Sequence, residues 1–452
     1  MEEIRIGYCR NLMNPSEPIP LAGYGNDRLR YHTRITEDIC ATCVAVADAE
    51  GSTVLLMGVD LAVAPTDDCA IMRQRVSEAT GIPQERVLIA GTHTHAGPTL
   101  GMKEDPAVQR YYDHIFERVT DAAQQALADL RPASIFTGSI EVPFMNFIKH
   151  YKVRDIETGE VSYIGDQFGT AAGKMMIDHA TQVDPTLHVV KFVREGAKDV
   201  VIANWRAHPH FRGGYEAYDL SSDYIHPFRI NLENALDCHA LFLQGAGGNI
   251  NSSSRMQAER RHTTALSYGM GLAAYAVEAL QRCMQPAKGG KVGFKQLEFF
   301  GDINHTNNHL LEQAQKIEKY WDETFDREGC VKMGEPYGIR SPYHAEAICM
   351  NAERTKEKNG KMVLNAVTIG QDLSLVTFPG ELFDAISAHL EVVSPYRMTM
   401  LMGYCYHHVG YLPSMAAFKY TSYETDITRF APGTGEAVGE AYLNMLNELA
   451  GK

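Results

Sequence analysis

Residues 87–98 read VLIAGTHTHAGP. Four apolar residues lead to Gly91, and two imidazoles follow with one threonine between them. Successive side chains of an extended chain point to opposite faces, so the spacing predicts His93 and His95 on one side and Thr92 and Thr94 on the other. Gly97 and Pro98 then turn the chain away. The stretch reads as a buried strand that ends by delivering two imidazoles into one space. An isolated HxH fits a pair of structural histidines as well as a site, so its meaning depends on what else the chain brings there.

The chain has 452 residues, long enough for one large domain with insertions or two packed domains. Apolar residues make up 45% and charged residues 22%, the balance of an ordinary globular protein. A formal net charge of -14 argues against nucleic acid or an anionic membrane as the main partner, since both require a basic surface. The start, MEEIRIGYCRNLMNP, lacks the apolar run of a secretory signal. The most apolar stretch, TVLLMGVDLAVAP, is broken by Asp60 and is too short to span a bilayer. Nine cysteines without a framework fit a reducing compartment, and the expected location is the cytoplasm. Cys40 and Cys43 form a lone CxxC on a strand-like segment, where they point to opposite faces and do not make a zinc site.

Apolar alternation and β-branched runs predict strands over 53–59, 87–91, 133–142, 188–194, 199–205, 239–244, 292–300, 363–379 (broken at Gln371-Asp372) and 397–404. Helical periodicity covers 67–80, 106–130, 226–236, 259–284, 307–326, 381–392 and 434–449. Asp105 is placed to cap the second helix, with Pro106 in its first turn. Residues 140–186 show no strong pattern and are expected to be an irregular loop contributing to a substrate pocket. Interleaved strands and helices predict an α/β layered fold with mixed β-sheets flanked by helices. With no repeat and no Pro/Gly/Ser-rich linker, residues 1–452 are expected to form one catalytic domain.

Other predicted strands also end in polar residues. DVVIANWRAHPH leads into His208 and His210, and ALFLQGAGGNINSS into a Gly-rich turn whose amides could hold an oxyanion. LSLVTFPGELF puts Glu381 in the first turn of a helix, and TMLMGYCYHHVGYLPS carries His407, His408 and Tyr411. Imidazoles and a carboxylate at strand ends form a donor set that suits zinc.

GTHTHAGP, NWRAHP, LSSDY, FLQGAGGN, FPGELF and HHVGYLPS occur in the order and approximate spacing of the neutral/alkaline non-lysosomal ceramidase family. The resemblance covers about residues 4 to 445 and matches that family's catalytic domain. It implies Zn2+ held by two histidines, a glutamate and a tyrosine, and hydrolysis of an amide. Carried over residue by residue, the ligands are His93, His208, Glu381 and Tyr411. His95 would contact substrate or the developing oxyanion, together with Gly247, Gly248, Asn249 and Asn251. A phenol is an unusual ligand, but a bound cation lowers its pKa and favours the phenolate.

Three departures stand out. Asn251 occupies the position of a serine in the family's Gly-Asp-x-Ser-Pro turn, so a serine nucleophile there is unavailable. Asn146-Phe147 stands where the family has Asn-Arg, removing a cation near the substrate head group. The family's C-terminal immunoglobulin-like domain has no counterpart. His210, His407 and His408 are left without assigned roles, and Asp223 is expected either to orient a ligand histidine or to cap the helix near His226. His262, His305 and His309 are expected on solvated helices without function.

The expectation is therefore a zinc-dependent amidase acting on a small N-acyl compound by metal-activated water. The alternatives are a small ester or lactone as substrate on the same site, or a binding protein that keeps the fold without the chemistry. An amidohydrolase barrel also starts with HxH, but its eight βα units are not in the strand pattern. The resemblance implies a small-molecule partner and leaves homo-oligomerisation open.

Overall fold

Strand Cys40–Asp48 is buried along its whole length, and its two faces serve two different cores. Val44 and Val46 join one cluster, while Ala41, Cys43 and Ala45 join another. This computed structural model describes residues 4–24, 30–63, 66–165, 172–214, 217–256, 262–406, 408–420 and 422–452.

The strand lies near one end of a nine-stranded sheet. Its order is His239–Gln244, Val200–Trp205, Thr186–Arg194, Arg131–Glu141, Ile4–Leu12, Cys40–Asp48, Thr53–Val59 and Val87–Gly91, with Gln285–Pro286 paired onto Arg131–Glu141. The middle of the sheet is antiparallel and its two end pairs are parallel. A second sheet of four strands runs Val292–Phe300, Lys361–Ile369, Leu373–Thr377 and Met398–Met402. Val44, Leu56, Leu88, Ile202 and Leu241 of the first sheet share one apolar cluster with Val367, Leu375 and Met400 of the second. The sheets therefore pack face to face, and their outer faces must be covered by something else.

Helices provide that cover. Thr66–Thr80 and Pro106–Ala128 pack on one half of the first sheet, and Ile225–Leu236 and Ala265–Arg282 on the other half. Asp384–Val393 and Thr434–Leu449 cover the second sheet. The result is the expected α/β fold of mixed sheets flanked by helices, arranged helix, sheet, sheet, helix. Most predicted elements recur within a few residues, including the Asp105 cap, whose carboxylate accepts from the amides of Ala107 and Val108.

What positions the site is the joining of the two sheets at their carboxyl ends. The buried Asn204 amide donates to the carbonyls of Leu243 (3.0 Å) and Leu401 (2.9 Å), one in each sheet. Gly403 N–H donates to Gln244 (2.9 Å), and Gly91 N–H donates to the carbonyl of Tyr404 (3.1 Å). Buried polar groups cost free energy unless paired, so these bonds fix the relative register of strands distant in sequence.

Four expectations need correcting. The strand leading to the HxH ends at Gly91, and His93 sits in the left-handed region at φ 65 rather than in extended chain. Residues 140–186 are not one irregular loop: His150–Asp155, Val161–Gly165 and Lys174–His179 form a small antiparallel sheet, and Phe147–Ile148 pairs with Ile250–Asn251. Its strands are short and carry exposed charged residues, with a core of little more than Tyr151, Val153 and Ile164, so their periodicity is faint. The helix expected over 259–284 begins at Ala265, where Thr264 and Ser267 form a capping box. Glu381 is in no helix, since Asp384 begins that element.

Candidate metal centre

Glu381 lies in a two-residue strand whose parallel partner is Tyr411–Leu412, with Glu381 opposite Tyr411. Gly380 makes this possible. At φ 156, a Cβ there would come within 2.5 Å of the Gly410 carbonyl. Glu381 N–H donates to that carbonyl (3.0 Å), drawing the 381 and 411 segments together. The helix then starts at Asp384, whose N–H donates to Asn249 Oδ1 at 2.9 Å.

Three nitrogens meet the Glu381 carboxylate. His93 Nε2 lies 3.5 Å and His208 Nε2 3.3 Å from Oε2, and His408 Nε2 lies 3.5 Å from Oε1. His95 Nε2 is 3.2 Å from His93 Nε2. Ligand nitrogens of His93, His95 and His208 all fall within 4.8 Å of one another. Two ligand atoms held tetrahedrally at about 2.0–2.1 Å from a common zinc are roughly 3.3 Å apart, so these spacings fit one shared ion.

Protonation sharpens the fit. His93 Nδ1 lies 2.9 Å from the carbonyl of Ala62, and His208 Nδ1 lies 2.8 Å from that of Ile250. A carbonyl only accepts, so each Nδ1 carries a proton, and in the neutral ring that burial favours for His208 the Nε2 presents its lone pair to Glu381. Glu381 Oε2 is buried and has no hydrogen-bond partner among the described residues. Two imidazole nitrogens and a carboxylate oxygen thus converge in one buried space. Such a cluster suits a bound cation, and the backbone carbonyls behind the imidazoles are the usual partners of metal-binding histidines.

His95 differs. Its Nδ1 is buried without a partner, so no carbonyl fixes its tautomer. Burial, and then the neighbouring imidazoles of His93 and His208, push its pKa well below the ordinary value. His208 is pushed down to about 4 and His210 to about 3, in both cases chiefly by burial, so these rings are neutral near pH 7. Tyr411 is buried, with its phenol pushed well above the ordinary range by desolvation and then by the charge of Glu381. The Lys149 ammonium lies 5.2 Å from its ring centroid.

The Gly-rich turn packs against the cluster in an unexpected way. The amides of Gly247 and Gly248 already donate to the carbonyls of Gly245 (2.9 Å) and Leu382 (3.0 Å), so they are not spare donors for an oxyanion. Their value is smallness: a Cβ on Gly248 would come within 2.5 Å of the Glu381 carbonyl. Asn249 is committed to Asp384, as above, and accepts at its own carbonyl from Lys149 N–H (3.0 Å). Asn251 does reach the cluster, with Oδ1 3.3 Å from His210 Nε2. Asp223 accepts from the amides of Arg212 and Tyr224, and neither expected role is among those bonds. His305 lies in an exposed turn against the carbonyl of Arg354, away from the cluster, and His407 falls outside the described residues.

Three groups escaped the sequence reading. Arg206 is buried between Asp384 (3.0 Å), Asp184 (3.2 Å) and Glu391 (2.6 Å), tying the strand before His208 to the helix after Glu381. Lys149 and His150 share buried Glu424 at 2.9 and 3.0 Å. Tyr404 stacks on His93 with ring centroids 4.0 Å apart. Arg206 and Tyr404 lie in quoted stretches while Lys149, His150 and Glu424 lie in none, and charge and aromaticity alone do not tell a buried partner from a solvated one.

A cleft of about 600 Å3 has none of the cluster residues in its lining. Apart from Ser254 and Met256, its lining comes from residues 141–185, including Asn146, Phe147, Ile148 and His179. Phe147 links it to the centre by pairing with Asn251.

No protein-family model matches the chain, and no curated protein matches its sequence. Among solved structures, it is similar to the neutral ceramidase of Pseudomonas aeruginosa, with a TM-score of 0.72 and 16% identity over 100% of this chain and 75% of that one. It is also similar to a ceramidase complexed with C2, with a TM-score of 0.71 and 17% identity over 99% of this chain and 75% of that one. The fold is neutral ceramidase-like.

Proposed function

We propose that this chain is a zinc-dependent hydrolase that cleaves the amide bond of an N-acyl compound. One observation carries the reading: the Nε2 atoms of His93 and His208 converge on one Glu381 oxygen at 3.3–3.5 Å in a buried site. Tyr411 completes the donor set from the register position opposite Glu381. Zinc held there would polarise an amide carbonyl and supply an activated water.

The chain's own residues do the rest. His93 and His208 would ligate through Nε2, because each Nδ1–H is turned to a backbone carbonyl, that of Ala62 or Ile250. His95, neutral and with one ring nitrogen uncommitted, can donate to an oxygen developing charge beside the metal. With Asn251 in the turn, no side-chain hydroxyl stands at that position for covalent catalysis. Ser252 Oγ, next along, is buried and has no hydrogen-bonded base among the described residues. The cleft lined by Phe147 and its neighbours takes the acyl part. Its apolar walls suit a single short or medium chain, and a phenyl ring at 147 provides no cation for a charged head group. Among the described residues no helix is long and apolar enough to cross a membrane. We place the enzyme's work on soluble amides, in the cytoplasm.

The test is metal analysis of the purified protein followed by an activity screen of the zinc-loaded form. The panel comprises N-acyl amines, N-acyl amino acids, ceramides and simple lactones. About one zinc per chain and amide turnover support the reading. Turnover of lactones alone moves it to ester chemistry on the same centre, and absence of zinc overturns it.

A further inference from the structure

Tyr404 is built into the centre more tightly than a packing residue requires. Its backbone adopts φ 55, a left-handed conformation unfavourable for a tyrosine that persists only where surrounding contacts impose it. The contacts are visible. Tyr404 N–H donates to the carbonyl of Gly380 (3.1 Å), the residue before Glu381, and its own carbonyl accepts from Gly91 N–H (3.1 Å), two residues before His93. One residue thus ties together the two segments that carry His93 and Glu381. Its ring then lies flat on the His93 imidazole, 4.0 Å between centroids at an interplanar angle of 20°. The opposite edge of His93 is held by Ala62, so the imidazole is fixed both along its plane and across it.

The hydroxyl has a different status. It is buried with no hydrogen-bond partner among the described residues, and it occupies room left by the missing side chain of Gly247, where a Cβ would lie 2.9 Å away. Among the described residues nothing receives its proton, so the ring and backbone carry the interaction.

We propose that Tyr404 is a positioning residue of the metal centre, its ring setting the plane of His93 and its backbone setting the spacing of His93 from Glu381. This rests on the zinc reading above and adds a residue outside the donor set. Residues that orient ligands from behind typically change metal affinity about 10–100-fold when lost.

Zinc affinity is measured by competition with a chromophoric chelator for the full chain and its variants. The visible spectrum of the cobalt-loaded forms is recorded alongside, with Tm of each metal-free form. Tyr404→Leu is expected to weaken zinc at least tenfold and to shift the cobalt spectrum. Tyr404→Phe, which keeps the ring, is expected to stay within about twofold of wild type, with an unshifted spectrum. If Tyr404→Leu fails to fold, Gly247→Ala gives a second handle, because its methyl pushes on the hydroxyl and tilts the ring. It should weaken zinc in the wild-type background and be relieved when combined with Tyr404→Phe. Wild-type affinity in Tyr404→Leu overturns the proposal, as does an equal loss in Tyr404→Phe or a Gly247→Ala effect that Tyr404→Phe does not relieve. A wild-type protein that binds no zinc overturns the zinc reading itself and this inference with it.

Discussion

His208 Nε2 lies 3.3 Å from Glu381 Oε2, and the proton that would make this a hydrogen bond is engaged elsewhere, at Nδ1 facing the carbonyl of Ile250. His93 is oriented in the same way, with Nδ1 facing the carbonyl of Ala62 and Nε2 3.5 Å from Glu381 Oε2. Two segments remote in sequence thus bring imidazole nitrogens and a carboxylate together in one buried space, an arrangement that a bound cation would complete.

The first prediction follows directly. The purified protein should carry about one zinc per chain, and His93→Ala, His208→Ala and Glu381→Gln should each lower occupancy several-fold or more in dialysed samples measured by elemental analysis. The metal-free variants should keep the wild-type circular dichroism spectrum, because the cores between and outside the sheets do not involve the ion. Full occupancy in both histidine variants would remove them from the ligand set.

Tyr411 is the second case. Its phenol is pushed up by burial and by the charge of Glu381, so without a cation it stays protonated at all moderate pH values. If zinc is bound there, Tyr411→Phe removes a ligand atom while keeping the ring. Zinc should then bind about tenfold or more weakly and turnover should fall with little change in KM. Equal zinc affinity in Tyr411→Phe and wild type would return Tyr411 to a packing role.

A third prediction separates mechanisms. Asn251 contacts His210 and pairs with the Phe147 strand, so Asn251→Ala should lower activity modestly by loosening that turn. No acyl adduct should appear on the protein during turnover. Intact-mass detection of an adduct on Ser252 or Ser253 would replace activated water with a covalent route.

The fourth concerns acid stability. Burial opposes the charge of Glu391, but Arg206 and His188 outweigh it and pull its carboxyl down to about 2, from an ordinary 4.5. A folded-state pKa below the unfolded one means that the stabilisation is complete above about pH 5 and is lost as pH falls towards 2. Its size is on the order of 3 kcal/mol. Glu391→Gln should therefore flatten the fall of stability between pH 5 and pH 2, read from urea unfolding at each pH. An unchanged pH slope in the variant would show that the Arg206 pair does not govern this window.

Much of this was legible in the sequence, and the reasons are particular. Runs such as VLLMGV and VLIAG are buried on both faces, which leaves long apolar signals. His93, His208 and Glu381 could be singled out because each follows such a run. The local geometry was not legible. A left-handed His93 and an extended Glu381 are imposed by Tyr404, Gly380 and Gly410, contacts made across 24 to more than 300 residues of chain. The amides of Gly247 and Gly248 looked available because their acceptors, notably the Leu382 carbonyl, come from another strand. Arg206 looked like any charge in a motif until three carboxylates were seen around it.

The last prediction concerns substrate. The cleft is walled by Phe144, Phe147, Ile148 and Val183, with Asn146 and His179 among its polar groups. Phe147 is stacked near His179, with centroids 5.8 Å apart, and pairs through its backbone with Asn251. A change at this ring therefore reaches the pocket wall without touching a proposed ligand. Phe147→Ala should enlarge the cleft and move preference towards longer or bulkier acyl groups, with zinc content unchanged. Phe147→Arg should instead favour amides carrying an anionic group, since a guanidinium pairs with carboxylates in a way a phenyl cannot. For the wild type, kcat/KM for matched short-chain amides should exceed that for a long-chain ceramide presented in detergent. A clear preference for ceramide would mean that the cleft admits a two-tailed lipid after all. Loss of zinc in Phe147→Ala would show that the wall and the centre are one structural unit.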